Sequence, residues 1–151
     1  MISLPDGYTI STDRALLKID VIHGFLAESY WAKDIPRALV ERMIRHSLNF
    51  GVYHREKQAG FARVISDYTT FAYIADVFIL PEHRGNGLSK ALVGTILAHP
   101  ELQGLRRWML VTLDAHGVYE SLGFRLVAHP ERHMEIHHPA IYERSPGGKV
   151  A

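Results

Sequence analysis

The stretch that most constrains this chain is Asp76 to Ala91, DVFILPEHRGNGLSKA. It opens with Val77, Phe78, Ile79 and Leu80, an apolar run too short for a typical helix and of the β-branched or bulky type that fills a buried strand. Pro81 ends the ladder because it has no N–H to give. Gly85 and Gly87 then allow backbone conformations closed to other residues, and Leu88, Ala91, Leu92 and Leu97 recur on one face of a helix. The order is strand, glycine-spaced basic turn, helix. A helix start presents free N–H groups with the positive end of the helix dipole behind them, so a phosphate or pyrophosphate fits the turn.

Two well-known phosphate loops are excluded by the same letters. A P-loop needs Gly-Lys-Ser/Thr, but Leu88, Ser89 and Lys90 follow Gly87; a dinucleotide fingerprint needs a third glycine where Lys90 stands. What the letters do fit is R-x-x-G-x-[small], filled by Arg84, Gly85, Asn86, Gly87, Leu88 and Ser89 and preceded by V-x-x-x-P. This resembles motif A of the GNAT superfamily of N-acetyltransferases, whose loop holds the pyrophosphate of acetyl-coenzyme A. Ser89 stands where that family usually has Gly or Ala. A second segment strengthens the resemblance. Arg107 to Thr112 reads as a strand, and Ala115, Tyr119, Gly123 and Phe124 give A-x-x-x-Y-x-x-x-G-F, similar to motif B of the same superfamily, whose tyrosine is commonly the general acid. The resemblance covers Tyr8 to about Ile136.

The bounds agree with one ordinary domain spanning 1–151. Hydrophobic residues make 47% and charged residues 22%, and the formal charge of +1 gives no pull towards nucleic acid or an anionic membrane. Small-molecule partners are expected. No apolar run approaches a membrane span, and Met1 to Asp13 lacks the basic start and apolar core of a signal peptide, so the cytoplasm is the expected compartment. With no cysteine, disulfides, thiolate metal sites and a cysteine acyl-enzyme are excluded.

The expected elements run as follows. Tyr8 to Thr12 is a candidate edge strand, and Asp20 caps a short helix carrying Val21, Ile22, Phe25 and Leu26. A second helix has Pro36 in its first turn and Leu39, Val40, Met43, Ile44 and Leu48 at helical spacing. Val52 to Tyr53 and Phe61 to Ile65 form a hairpin around Arg55 to Gln58, and Asp67 to Thr70 turns into a central strand, Phe71 to Leu80. His99-Pro100 closes the helix after the glycine turn, Met134 and Ile136 suggest a late strand, and Ser145 to Ala151 has loose-tail composition. The order is mixed α/β with a largely antiparallel sheet.

The resemblance implies that the central strand and its successor splay apart to admit the pantetheine arm. It makes Phe78, Ile79 and Leu80 backbone contacts, and Arg84, Gly85, Asn86, Gly87, Leu88, Ser89 and Lys90 the pyrophosphate site. It implies acetyl transfer to a primary amine of a small molecule or an exposed protein amino group by direct attack in a ternary complex. An oxyanion would meet an N–H near Phe78 or Ile79, and Tyr119 would give the departing thiolate its proton. A binding module that keeps coenzyme A without turnover is the alternative. Tyr119 can instead pack under Phe124.

Three further candidates come from the residues. Asp76, sharing a face with Ile74 and Phe78 by period two, is a carboxylate on an apolar strand, hence either a general base or half of an ion pair with an arginine. His116 follows the second strand as a candidate substrate group or an exposed turn residue. Tyr30 and Trp31, between the first two helices, line the acceptor pocket or belong to the core. His133 and His137 share a face only in a helix, and Pro130 and Pro139 bracket them, so no metal site is expected. A C-terminal edge strand would offer a pairing surface to a second copy.

Overall fold

A computed structural model describes residues 3–143. The tail expected at 145–151 lies outside the described residues. The chain forms β1 (Tyr8–Ser11), α1 (Ile19–Glu28), α2 (Arg37–Arg45), β2 (Leu48–His54), β3 (Lys57–Ser66), β4 (Phe71–Ile79), α3 (Leu88–Leu97), β5 (Arg107–Met109) and α4 (His116–Glu120), with short 3-10 turns between several of them. The five strands lie in chain order; the first four are antiparallel, and β5 joins β4 in parallel. This is the mixed α/β fold expected from the sequence.

Both faces of the sheet are covered. One carries Phe50, Val52, Val64 and Ile74 against Leu88, Leu92 and Ile96 of α3, with Tyr119 of α4. The other carries Phe61 and Phe78 against Ile22 and Leu26 of α1 and Val40 and Ile44 of α2. Fully buried side chains such as Phe50, Phe61 and Leu92 each stabilise the fold by about 1.5–3 kcal/mol.

Several boundaries differ from the sequence expectation, each for a local reason. Lys18, not Asp20, is the residue before α1; Asp20 sits in the first turn and pairs with Arg37 of α2. Pro36 precedes α2 as its cap, and Leu48 begins β2. The hairpin arms are longer than their apolar letters because polar residues find donors or acceptors inside the ladder, although the buried Asn49 Oδ1 has none among the described residues. Asn49 donates to Ile44 O at 2.8 Å; Gln58 donates to Gly60 O at 3.0 Å and accepts the Lys18 N–H at 2.8 Å. β5 stops at Met109 instead of Thr112. Met134 and Ile136 belong to no strand, because no described strand lies beside them. No helix among the described residues is long and apolar enough to cross a membrane.

Candidate active site

The site is built on a fault in β4. Phe78 stands opposite Phe61 and Ala75 opposite Arg63, so Asp76 and Val77 together face the single residue Ala62. This is a β-bulge, with Asp76 at φ 55°. It corrects the period-two expectation: Ile74 packs in the α3 layer and Phe78 in the α1/α2 layer, so Asp76 does not share one face with both.

Asp76 is held from two sides. Its Oδ2 accepts from Arg63 Nε at 2.6 Å and its Oδ1 from Trp31 Nε1 at 2.8 Å, while Arg63 Nη1 also donates to Ser47 Oγ at 3.1 Å. Of the two readings left open for this carboxylate, the ion pair is the one formed, and its side chain is only 8% exposed. Arg63 is not singled out by the sequence reading; the one signal for it is a charge on the strand face it shares by period two with the apolar Phe61. Trp31 is thereby tied to the sheet, with Tyr30 edge-on to it at 5.0 Å and Phe25 stacked on Phe78 at 4.1 Å. Tyr30 is 64% exposed, which excludes a core role for that residue.

β4 and β5 pair only from Phe71 with Arg107 to Tyr73 with Met109, after which β4 runs on alone. The splay exposes one backbone unit rather than three. Leu80 N–H goes to Ala59 O at 2.8 Å, and Leu80 O takes the His83 N–H at 2.9 Å. Alternate residues of an antiparallel strand turn their groups to opposite sides, so Phe78 also faces β3 while Ile79 faces the opening. Phe78 and Leu80 are therefore not open backbone contacts as expected. The Ile79 carbonyl accepts from Arg84 Nε at 2.9 Å, leaving the Ile79 N–H directed into the splay.

Beyond Arg84 the chain makes the glycine turn. Gly85 and Gly87 have φ of 84° and 73°, and a Cβ built on either meets nothing within 4 Å. Gly87 is the residue before α3, and Ala91 N–H to Gly87 O at 3.1 Å is the first helical bond, so the N–H groups of Leu88, Ser89 and Lys90 precede it. No side chain among the described residues caps them. Asn86 instead donates to His83 O at 3.1 Å, bracing the turn from outside. An anion fits this open cradle of amides.

Tyr119 lies at the other wall of the splay, 9% exposed and edge-on to Phe124 at 5.8 Å. Burial, with a contribution from nearby Tyr30, raises its hydroxyl above the usual tyrosine range. A cavity of about 680 Å³ opens beside it, bordered also by Tyr73, Met109, His116 and Glu135. His116 is exposed on its rim. Tyr73 was missed, since a tyrosine on a central strand reads as ordinary core; its hydroxyl is likewise raised, by burial and then by the Asp76 charge. No three of His, Asp and Glu gather as a metal site among the described residues.

Residues 18–124 match the acetyltransferase (GNAT) family model. The chain belongs to the GNAT acetyltransferase family. A crystal structure of a GNAT-family protein from Xanthomonas campestris pv. campestris, provisionally named an acetyltransferase, superposes with a TM-score of 0.90 at 54% identity, covering 93% of this chain and 99% of that one. A Gibberella zeae protein, also provisionally named an acetyltransferase, is 34% identical over 142 residues, 78% of this chain and 79% of its own. A Clostridium acetobutylicum structure containing acetyl-CoA, of a protein provisionally named an acetyltransferase, shares the fold, with a TM-score of 0.58 at 15% identity over 86% of this chain and 94% of that one. GNAT enzymes use acetyl-CoA, and the segment from the bulge to Phe124 lies within the family match.

Proposed function

We propose that this acetyltransferase moves the acetyl group of acetyl-CoA to the primary amine of a small molecule or an exposed protein amino group, with both substrates held together. The observation that carries the reading is the uncapped run of amides at Leu88, Ser89 and Lys90 behind two open left-handed glycines, at the mouth of a splay whose far wall holds Tyr119. The cradle amides, with the guanidinium of Arg84 and the ammonium of Lys90 nearby in the chain, hold the coenzyme's diphosphate. Acetyl-CoA supplies an activated acyl group as a thioester. The Ile79 N–H, aimed into the splay, offers a donor to an acyl oxygen there. Tyr119, a buried phenol, holds the proton that a departing thiolate needs. An absence of cysteine favours transfer without an acyl-enzyme.

Asp76 serves as a positioning group in this scheme. Both its oxygens are engaged, and through Trp31 it anchors the connector that carries Tyr30 over the acceptor side. The cavity is open, so the amine can lose its proton to solvent. His116 on the rim and Tyr30 are the acceptor contacts.

Thiol release from acetyl-CoA across a panel of small amines and a peptide N-terminus tests the reading, with Tyr119→Phe beside the native chain. Release with at least one acceptor, and a fall of about 100-fold or more in kcat for Tyr119→Phe, is expected. Coenzyme binding without release for any acceptor, unaltered by Tyr119→Phe, would favour a sensor or scaffold that binds the coenzyme without turnover.

A further inference from the structure

The glycine turn is short of packing. Gly85, Asn86 and Gly87 are all exposed, and a Cβ built on either glycine stands in open space. Glycine also has the most backbone freedom to lose. Such a turn does not take its shape from neighbours pressed against it, so the attachments at its two ends decide how its amides are aimed. At the helix end the attachment is Leu88, buried in the α3 layer. At the strand end it is His83.

His83 closes the 3-10 turn Pro81–His83 that follows β4, and it is bonded at three points. Its N–H donates to Leu80 O at 2.9 Å, its carbonyl accepts from Asn86 Nδ2 at 3.1 Å, and its ring Nδ1 stands 2.7 Å from the hydroxyl of Tyr8. The first two bonds, like that of Arg84 Nε to Ile79 O, stay within the turn and the end of its own strand. The third reaches a residue 75 positions earlier in the chain.

Tyr8 is itself well held. It opens β1 opposite His54 of β2, with the two rings 4.6 Å apart, and its N–H donates to Pro5 O at 3.2 Å. Its neighbour Gly7 accepts the Arg55 N–H at 2.8 Å. The His83 ring meets Tyr8 edge-on at 5.6 Å and lies 5.6 Å from that of His54, so the three rings share one spot. A phenol can donate or accept, and Nδ1 takes the complementary part in either tautomer or in the imidazolium, so the bond persists whichever form His83 adopts. This is a mechanical tether and not a pH switch.

We propose that Tyr8 and His83 are positioning residues for the coenzyme, fixing the entry to the glycine turn so that the amides of Leu88, Ser89 and Lys90 are aimed before acetyl-CoA arrives. The proposal rests on those amides being the diphosphate site. A turn fixed in advance does not have to be ordered as the ligand binds, and affinity rises accordingly. Both residues act through the turn.

Calorimetric titration of coenzyme A into the native chain and four variants tests this. Tyr8→Phe and His83→Phe each keep a ring in place and remove the bond; each is expected to raise the dissociation constant about five- to tenfold, the range of one hydrogen bond's net contribution. His83→Asn puts an amide oxygen near the place of Nδ1 and is expected to restore most of the affinity. Gln103→Ala removes two bonds, to Leu97 O and His99 O, at the far end of α3; it is expected to lower the melting temperature and leave the dissociation constant unaltered. Native affinity in Tyr8→Phe and His83→Phe overturns the tether and leaves the diphosphate reading standing. So does His83→Asn binding as weakly as His83→Phe, or Gln103→Ala weakening binding as much as they do. A native chain that binds no coenzyme A overturns both.

Discussion

The indole N–H of Trp31 donates to Oδ1 of Asp76 at 2.8 Å, joining the connector between α1 and α2 to the bulge of a strand 45 residues further along. Arg63 holds the other oxygen of the same carboxylate. Asp76→Ala leaves a mostly buried guanidinium without its counter-charge and is expected to cost roughly 3 kcal/mol in urea unfolding, the scale for breaking a buried pair from one side. Trp31→Phe removes one hydrogen bond and is expected to cost about 1–2 kcal/mol. In a double-mutant cycle the two losses should be non-additive, since they share the carboxylate. Additive losses would show that the bond contributes nothing.

Gly87→Ala separates backbone strain from ligand binding. A methyl there meets no atom within 4 Å, but a left-handed φ of 73° is costly for alanine, by about 1–2 kcal/mol, so the melting temperature should fall modestly. The larger expected effect is on coenzyme A. Calorimetry should show affinity reduced at least tenfold, because the amides next to position 87 are the ones assigned to the diphosphate. An unaltered dissociation constant would remove this turn from the cofactor site.

Tyr53 gives a prediction in alkali. Burial, with a contribution from Asp13, pushes its hydroxyl up to about 12, and Tyr119 is raised as well. An unfolded chain loses tyrosine protons near pH 10 while the folded one keeps them. The folded state therefore binds more protons above that pH, and its stability should decline as pH rises from about 10 to 12. Among the described residues the Tyr53 hydroxyl has no hydrogen-bond partner, so Tyr53→Phe removes a buried polar group at no loss of a bond. That variant is expected to gain about 1 kcal/mol at pH 7 and to show a flatter decline above pH 10, read from urea unfolding at each pH.

The glycine turn and its flanking strand and helix were legible because each is written in adjacent letters: Pro81 stops a ladder, Gly85 and Gly87 need their φ values, and the apolar spacing of α3 is local. The bulge was not legible, because whether two residues of β4 face one of β3 depends on Ala62, fourteen positions before Asp76 in the chain and silent on register. The availability of Ile79 alone, among three candidate backbone units, follows from that same pairing with Ala59 and Phe61. The late strand expected from Met134 and Ile136 failed for a related reason. Strand propensity states what a segment can do beside a neighbour, and no neighbour is written in the segment itself.

The doubled residue opposite Ala62 also sets a rule of tolerance for this chain. Each strand position sends its side chain to the face opposite that of its neighbour, and the extra residue reverses the order for everything that follows. Deleting either Asp76 or Val77 would restore a regular ladder at the expense of its contents: Phe78 would turn towards α3, and Ile79 towards α1 and α2. Two hydrophobic layers would then exchange aromatic for aliphatic volume across the thickness of one sheet. Lineages descending from this sequence can change the letters at 76 and 77 far more readily than they can change their number.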